Sequence, residues 1–212
     1  MLPSTIPLFP LPSVVLFPNV FLPLHIFEPR YRQMVSDALA GERMIGMVLL
    51  QPGYEVDYDR APAIYQVGCA GLITHVERLP DGRFNIVLRG LERFRIVGEE
   101  NPTSTVMYRR ALIMPLDEAE PDGMEQALKR DRQRLEALLT PMLSGTLAER
   151  GLPATMPDVE LINALAQYLD LEPIEKQALL EREGPLARCR SLIELLEMKT
   201  LTSKSRGGEQ IH

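Results

Sequence analysis

The spacing of apolar positions changes character once along the chain. Up to about residue 120, short apolar runs rich in Val, Ile, Leu and Phe are punctuated by Gly and Pro; beyond it, Leu and Ala recur among Glu, Arg and Gln. A period near two gives strands and a period near 3.6 gives helices, so a β-rich part precedes a helical part. Seven of the 18 prolines fall in residues 1–30. Proline has no N–H to donate, so this opening predicts short strands and extended turns at a sheet edge. A helix is predicted over 28–39. Pro29 suits the first helical position, Glu28 favours the positive end, and Tyr31, Met34, Val35, Ala38 and Leu39 share one face before Gly41 stops the run. Residues 43–50 read as a buried strand and 51–63 as a mobile polar loop. Two strand-like stretches, 67–79 and 83–97, flank Pro80-Asp81-Gly82, and Asp-Gly between apolar runs is a strong hairpin signal. In the second stretch Phe84, Ile86 and Leu88 alternate with Asn85 and Arg89 until Gly90, which predicts a bend or bulge of the kind that closes a barrel. A last strand is predicted over 106–116. Several curved antiparallel strands argue for a small barrel.

The second part predicts at least four helices. Residues 124–143 carry Leu128, Leu135, Leu138, Leu139 and Met142 on one face. A Gly/Pro linker covers 144–157, where Thr155 and Asp158 flank Pro157 in the manner of a capping box. A second helix then runs through Val159, Leu161, Ile162, Leu165, Ala166 and Leu169. Pro173 opens a third, and Gly184-Pro185 separates it from a fourth that packs through Leu186, Cys189, Leu192, Ile193 and Leu196. Residues 202–212 read as a flexible tail. The expected organisation is a β-rich subdomain over 1–118, a helical bundle over 119–201 and the tail.

Composition narrows the classes. With 45% apolar and 25% charged residues among 212, the chain is globular, and a net charge of −6 argues against bulk attraction to nucleic acid. No run approaches the ~18 apolar residues of a membrane span. The start has no basic segment and is broken by proline, so no export signal is expected. Only Cys69 and Cys189 occur, which suits a reducing cytoplasm.

The sequence lacks most motifs of catalytic chemistry. No phosphate-cradling loop, dinucleotide fingerprint or nucleophile elbow occurs, so no cofactor is expected. Three histidines and two cysteines show no metal-ligand spacing, and Asp57-Tyr58-Asp59 lacks the remaining oxygens of a calcium loop, so no metal is expected. Ser203-Lys204-Ser205 lies in the tail, where nothing would desolvate the amine. His25, beside Leu24 and Ile26, reads as a structural histidine rather than a general base. Cys69 and Cys189 read as core.

Two features remain. Nineteen of the 23 basic residues are Arg, and Arg83, Arg89, Arg93, Arg95, Arg109 and Arg110 lie on neighbouring strands. They form either a sheet face that reads RNA or a solvated face paired with Glu77, Glu92, Glu99 and Glu100. The interleaved acids and the lack of an aromatic ladder favour the second. The apolar opening, with Phe9, Leu11, Leu16, Phe17, Val20, Phe21 and Leu24, supplies either barrel core or an incompletely buried groove suited to extended apolar peptide.

At LFPLPSVVLFPNVFLPLHIFEPRYRQMVSDAL (8–39) the chain resembles the N-terminal substrate-recognition domain of the ATP-dependent Lon protease. IGMVLL (45–50), YQVGCAGLITHVERLPDGRFNIVLRGLERFRIV (65–97) and LINALAQYLDLEPIEKQALLE (161–181) extend the resemblance over nearly the whole chain. It implies an α+β fold: a six-stranded PUA-like pseudo β-barrel with one short helix, followed by a C-terminal α-helical bundle. It implies capture of unfolded or extended polypeptide without ATPase or peptidase modules, as in stand-alone LON-domain proteins. A protease or chaperone is a further partner it suggests, and a monomer or weak dimer fits the charged helix faces. Glu28, Arg30, Tyr31 and Arg32 match the EPRYR signature and are expected to anchor the short helix to the barrel. Gly82 and Gly90 belong to the signature hairpin. The expected recognition surface is Phe17, Phe21, Leu22, His25 and Phe27. The expected function is a non-catalytic binder of unfolded polypeptide, acting as adaptor or chaperone-like holder. An RNA-binding module is the second reading, and a hydrolase has the least support.

Overall fold

The computed structural model of the chain describes residues 2–56, 61–100, 102–118, 124–140 and 156–207, with side chains to Leu201. Asp57-Tyr58-Asp59, the linker through Thr155 and residues 208–212 lie outside the described residues. The described residues form six strands: β1 (Thr5–Leu11), β2 (Phe21–Ile26), β3 (Met44–Leu49), β4 (Val67–Arg78), β5 (Phe84–Glu100) and β6 (Arg110–Pro115). Among the described residues there are five α-helices: α1 (Pro29–Ala40), α2 (Glu125–Leu139), α3 (Asp158–Tyr168), α4 (Pro173–Leu180) and α5 (Gly184–Gly207). Helix α5 thus runs past residue 202, into the segment read as a tail. A capping box forms at α4, where Glu172 and Glu175 exchange side-chain-to-backbone bonds; the one expected around Pro157 rests on Thr155, outside the described residues. No helix among the described residues is long and apolar enough to cross a membrane.

The strands form one mixed sheet in the order β2-β5-β4-β3-β1-β6, and β6 pairs back onto β5. Five strands therefore close a ring, and β2 stays outside it. The length of β5 permits this: Phe84–Arg89 pairs with β2, while Phe94–Glu100 pairs with β6. One seam is parallel rather than antiparallel: β1 and β3 run in the same direction with Leu8 opposite Gly46. The connection between them contains β2 and α1, long enough for the crossover that parallel pairing requires. Between Gly90 and Arg93, β5 takes one residue more than the facing β4 segment Cys69–Gly71, a bulge at the expected glycine. Ile6, Leu8, Val48, Phe94, Ile96 and Ile113 fill the ring.

The chain divides into two compact units, Met1–Asp117 with Asn163–Glu181 and Glu118–Ile162 with Arg182–His212. The boundary falls within α3. In the first unit, the irregular segment after β1 has too many prolines for a ladder, and side chains of α3 satisfy its backbone instead. Asn163 Nδ2 donates to the Pro18 carbonyl at 3.1 Å, Gln167 Nε2 donates to Val15 O at 2.8 Å, and Gln167 Oε1 accepts from Phe17 N–H at 3.1 Å. These bonds account for residues 163–181 grouping with the sheet. In the second unit, α2 and α5 pack through Leu128, Leu135, Leu139, Cys189, Leu192 and Leu196. There Arg188 is fully buried and donates to Glu118 at 2.8 Å, while Arg132 is held by Asp158 and by Glu136 at 2.9 Å.

Candidate functional site

At strand β2 the sheet ends in an exposed apolar row. Among the described residues the strand's ladder partner is β5, with Phe21 opposite Arg89, Pro23 opposite Val87 and His25 opposite Asn85. Gly90 N–H donates to Val20 O at 2.9 Å. In an antiparallel ladder hydrogen-bonded pairs alternate, so residues 22, 24 and 26 face β5 while 21, 23 and 25 turn their backbone groups outward. Pro23 therefore loses nothing by lacking an N–H, and it removes one donor from the open edge, which blunts edge-to-edge association. The Phe21 carbonyl, also outward, accepts from Tyr168 Oη–H at 2.9 Å.

The side chains of Phe21, Pro23, His25 and Phe27 alternate onto one face and are exposed, Phe21 by 51% and Phe27 by 60%. The His25 and Phe27 rings stack with centroids 6.2 Å apart. Between the strands lies an open cavity of about 350 Å³ lined by Pro23, Leu24, His25, His75, Asn85 and Val87. A polar chain fixes its rim. Asp81 Oδ2 accepts from Arg83 Nε at 2.6 Å, and Arg83 Nη1 lies 3.3 Å from His25 Nε2. His25 Nδ1 lies 2.7 Å from Asn85 Oδ1, and Asn85 Nδ2 donates to Glu77 Oε2 at 2.7 Å. A guanidinium can only donate, so Nε2 is the acceptor and Nδ1–H the donor. The bonds from Arg83 hold the Asp81 carboxyl below the usual carboxylate range. His25 is thus a rim residue placed by its neighbours, not a core histidine.

The structure separates the expected surface residues. Phe21, His25 and Phe27 share the exposed face, and Leu22 is half-buried on the opposite one. Phe17 is corrected: it is fully buried. It precedes the turn at Pro18-Asn19, where its backbone is pinned by Gln167 and its carbonyl abuts Gly90, so its ring points into the core. The signature residues act locally. Arg30 pairs with Glu28 at 2.8 Å and lies 4.6 Å over the Tyr31 ring, while Tyr31 is buried against Phe9 with centroids 4.5 Å apart. Gly82 turns the hairpin at φ +80°, and a methyl group there would overlap the Arg32 guanidinium.

The strand arginines do not form one face. Arg93 is buried and donates to Leu180 O at 2.9 Å, and Arg109 is buried against Glu99 and the Pro62 carbonyl. Arg83 pairs with Asp81, Arg110 with Glu100 at 3.6 Å, and Arg89 donates to Asn19. Among the described residues no group of three His, Cys, Asp or Glu could hold a metal ion. Sequence reasoning missed Asn163, Gln167 and Tyr168. Their signal was legible: two amides four apart beside the apolar Ile162 and Ala166.

The family model of the ATP-dependent protease La (LON) substrate-binding domain matches residues 5–198. The Lon protease of Trichlorobacter lovleyi is 31% identical over 204 residues, covering 92% of this chain and 24% of that protein. Lon protease 2 of Sorangium cellulosum is 32% identical over 154 residues, 73% of this chain and 18% of that one. The chain thus spans about a quarter of the length of the curated relatives it matches. Among solved structures, the N-terminal domain of Mycobacterium avium complex Lon protease superposes with a TM-score of 0.66 at 19% identity, covering 91% of this chain and 98% of that one. A Lon N-terminal domain protein from Xanthomonas campestris gives 0.61 at 23%, covering 90% and 98%. At these identities the two structures establish the fold.

Proposed function

The chain belongs to the Lon substrate-binding domain family, and from that premise we propose that it is a non-catalytic module that recognises unfolded or extended polypeptide through the exposed face of β2. The observation that carries this reading is the row Phe21, Pro23, His25 and Phe27 on an outer strand of a closed sheet. Exposed aromatic side chains beside a fixed polar rim give an apolar anchor with a few directional bonds, the composition of a peptide-binding surface. In this reading adaptor or chaperone-like action, handing bound polypeptide to a protease or chaperone, uses the same surface. The split of the strand arginines leaves an RNA-binding reading without a continuous cationic face.

The test is fluorescence anisotropy of a labelled, reduced and alkylated unfolded protein. The double substitution Phe21→Asp with Phe27→Asp removes two exposed aromatic contacts and should weaken binding at least ~10-fold, with the unfolding midpoint unchanged. Equal affinity in a folded double variant would refute the proposed surface. Binding that collapses steeply with salt and is lost on nuclease treatment would favour RNA instead.

A further inference from the structure

A second cavity, on the opposite side of the hairpin end from the aromatic row, has a different chemistry. It is open, measures about 420 Å³, and is lined by Pro29, Arg32, Gln33, Arg78, Phe84 and Met107 among others. Two guanidiniums share it, and no carboxylate lines it. Several other arginines have carboxylate partners, Arg30 with Glu28, Arg83 with Asp81, Arg109 with Glu99 and Arg188 with Glu118, while Arg43 and Arg89 donate to neutral oxygens. Arg32 and Arg78 have no carboxylate partner among the described residues. Two like charges on one cavity repel unless an anion lies between them, and this in a chain of net charge −6.

The walls are built rather than incidental. The Arg78 guanidinium lies over the Phe84 ring, 5.2 Å from its centroid, a cation–π contact. Arg32 reaches from α1 over the hairpin turn, where the missing side chain of Gly82 leaves its place. Gln33 Nε2 donates to Thr105 O at 2.7 Å and its Oε1 accepts from Met107 N–H at 2.8 Å, so the loop 103–107 is tied to α1. The cavity therefore combines two guanidiniums, those of Arg32 and Arg78, with apolar lining from Pro29, Phe84 and Met107. A guanidinium fork matches a carboxylate bidentately, and an apolar wall suits the aliphatic part attached to it.

We infer that Arg32 and Arg78 form a carboxylate-binding pocket that accepts a C-terminal or side-chain carboxylate of the polypeptide. The identity of the carrier rests on the polypeptide-binding reading, whereas the pocket itself does not. The test is a 15N-resolved NMR titration of the full chain with four probes. N-acetyl-leucine carries a terminal carboxylate, N-acetyl-glutamate α-amide a side-chain one, N-acetyl-leucinamide none, and inorganic phosphate is the fourth. A carboxylate probe should shift the Gln33 and Gly82 amides and saturate with a Kd on the order of 1 mM, while the neutral amide does not. Arg78→Gln, at an exposed side chain, should weaken this about 10-fold, and Arg32→Lys, which keeps the charge but loses the fork, should weaken it less than Arg32→Gln. The stronger of the two carboxylate probes names the source. Equal shifts from the neutral amide, no shift at the pocket, unchanged binding in Arg78→Gln, or a response to phosphate alone would each overturn the inference. Phe21→Asp with Phe27→Asp should leave probe binding intact, so a failure of the aromatic surface and a failure of this pocket read differently.

Discussion

Replacing Gly90 with alanine places one methyl group where β5 meets the turn that leads into β2. The added carbon would overlap the Phe17 carbonyl oxygen and stand 2.9 Å from the Phe17 carbonyl carbon and 3.2 Å from Pro18 Cα. These are backbone atoms, and they are held. Asn19 N–H donates to Gly90 O and Gly90 N–H donates to Val20 O, both at 2.9 Å, while Gln167 and Asn163 fix the far side of the turn. Relief requires the turn to move off β5. The two backbone bonds are worth about 1–3 kcal/mol together, and overpacking adds ~1–3 kcal/mol. A loss of about 2–6 kcal/mol is a large part of an ordinary stability of ~5–15 kcal/mol. Urea unfolding measures it. Gly98→Ala is the comparison, because its nearest neighbour would be Leu112 Cβ at 3.8 Å, so it should fall within about 0.5 kcal/mol of the parent or gain up to ~1 kcal/mol. Since β2 begins three residues after Pro18, Gly90→Ala should also weaken capture of unfolded polypeptide, and Gly98→Ala should not. A Gly90→Ala protein within 0.5 kcal/mol of the parent, on the ~1 kcal/mol scale of one hydrogen bond, would refute this reasoning.

Two further outcomes follow from neighbouring features. Phe17→Ala should cost ~3–5 kcal/mol in urea unfolding because the ring is fully buried, whereas the exposed Phe21→Asp should leave the midpoint near that of the parent; a mild Phe17→Ala would restore Phe17 to the surface. Tyr108 Oη–H donates to Asp37 Oδ2 at 2.9 Å, and burial first, then the Asp37 carboxylate, pushes its hydroxyl up to about 12. The ordinary tyrosine value is about 10, so the folded state holds this proton longer than the unfolded chain. The stability it contributes is present below pH ~10 and lost as pH rises towards ~12. Tyr108→Phe should flatten the decline of stability over that window, and an unchanged slope would contradict the assignment.

What could be read from the chain alone was what depends on near neighbours. The helix after Glu28 was legible from Pro29 and the 3.6-residue spacing of Tyr31, Met34, Val35 and Ala38, all buried in the structure. The hairpin was legible from Asp81-Gly82, and the strands on either side of it from their alternation. The Glu28–Arg30 pair, two residues apart, was legible for the same reason. The motif LPLHIFEPRYR pointed to the family that the whole-chain match establishes.

Tertiary structure decided what depends on residues far apart. The sequence does not distinguish Phe17 from Phe21, since both are phenylalanines among prolines; burial of one and exposure of the other arise from Gln167, 150 residues away, and from the close approach to Gly90. Likewise Arg93 and Arg95 look alike in alternation, yet Arg93 is buried under the Leu180 carbonyl at the bulge while Arg95 is exposed. The parallel seam of β1 with β3 and the outer position of β2 are facts of pairing, and pairing is set by which distant backbone donors and acceptors are left to satisfy. Periodicity assigns a residue to a face; only the closed sheet and the α3 side chains against it determine which faces meet solvent.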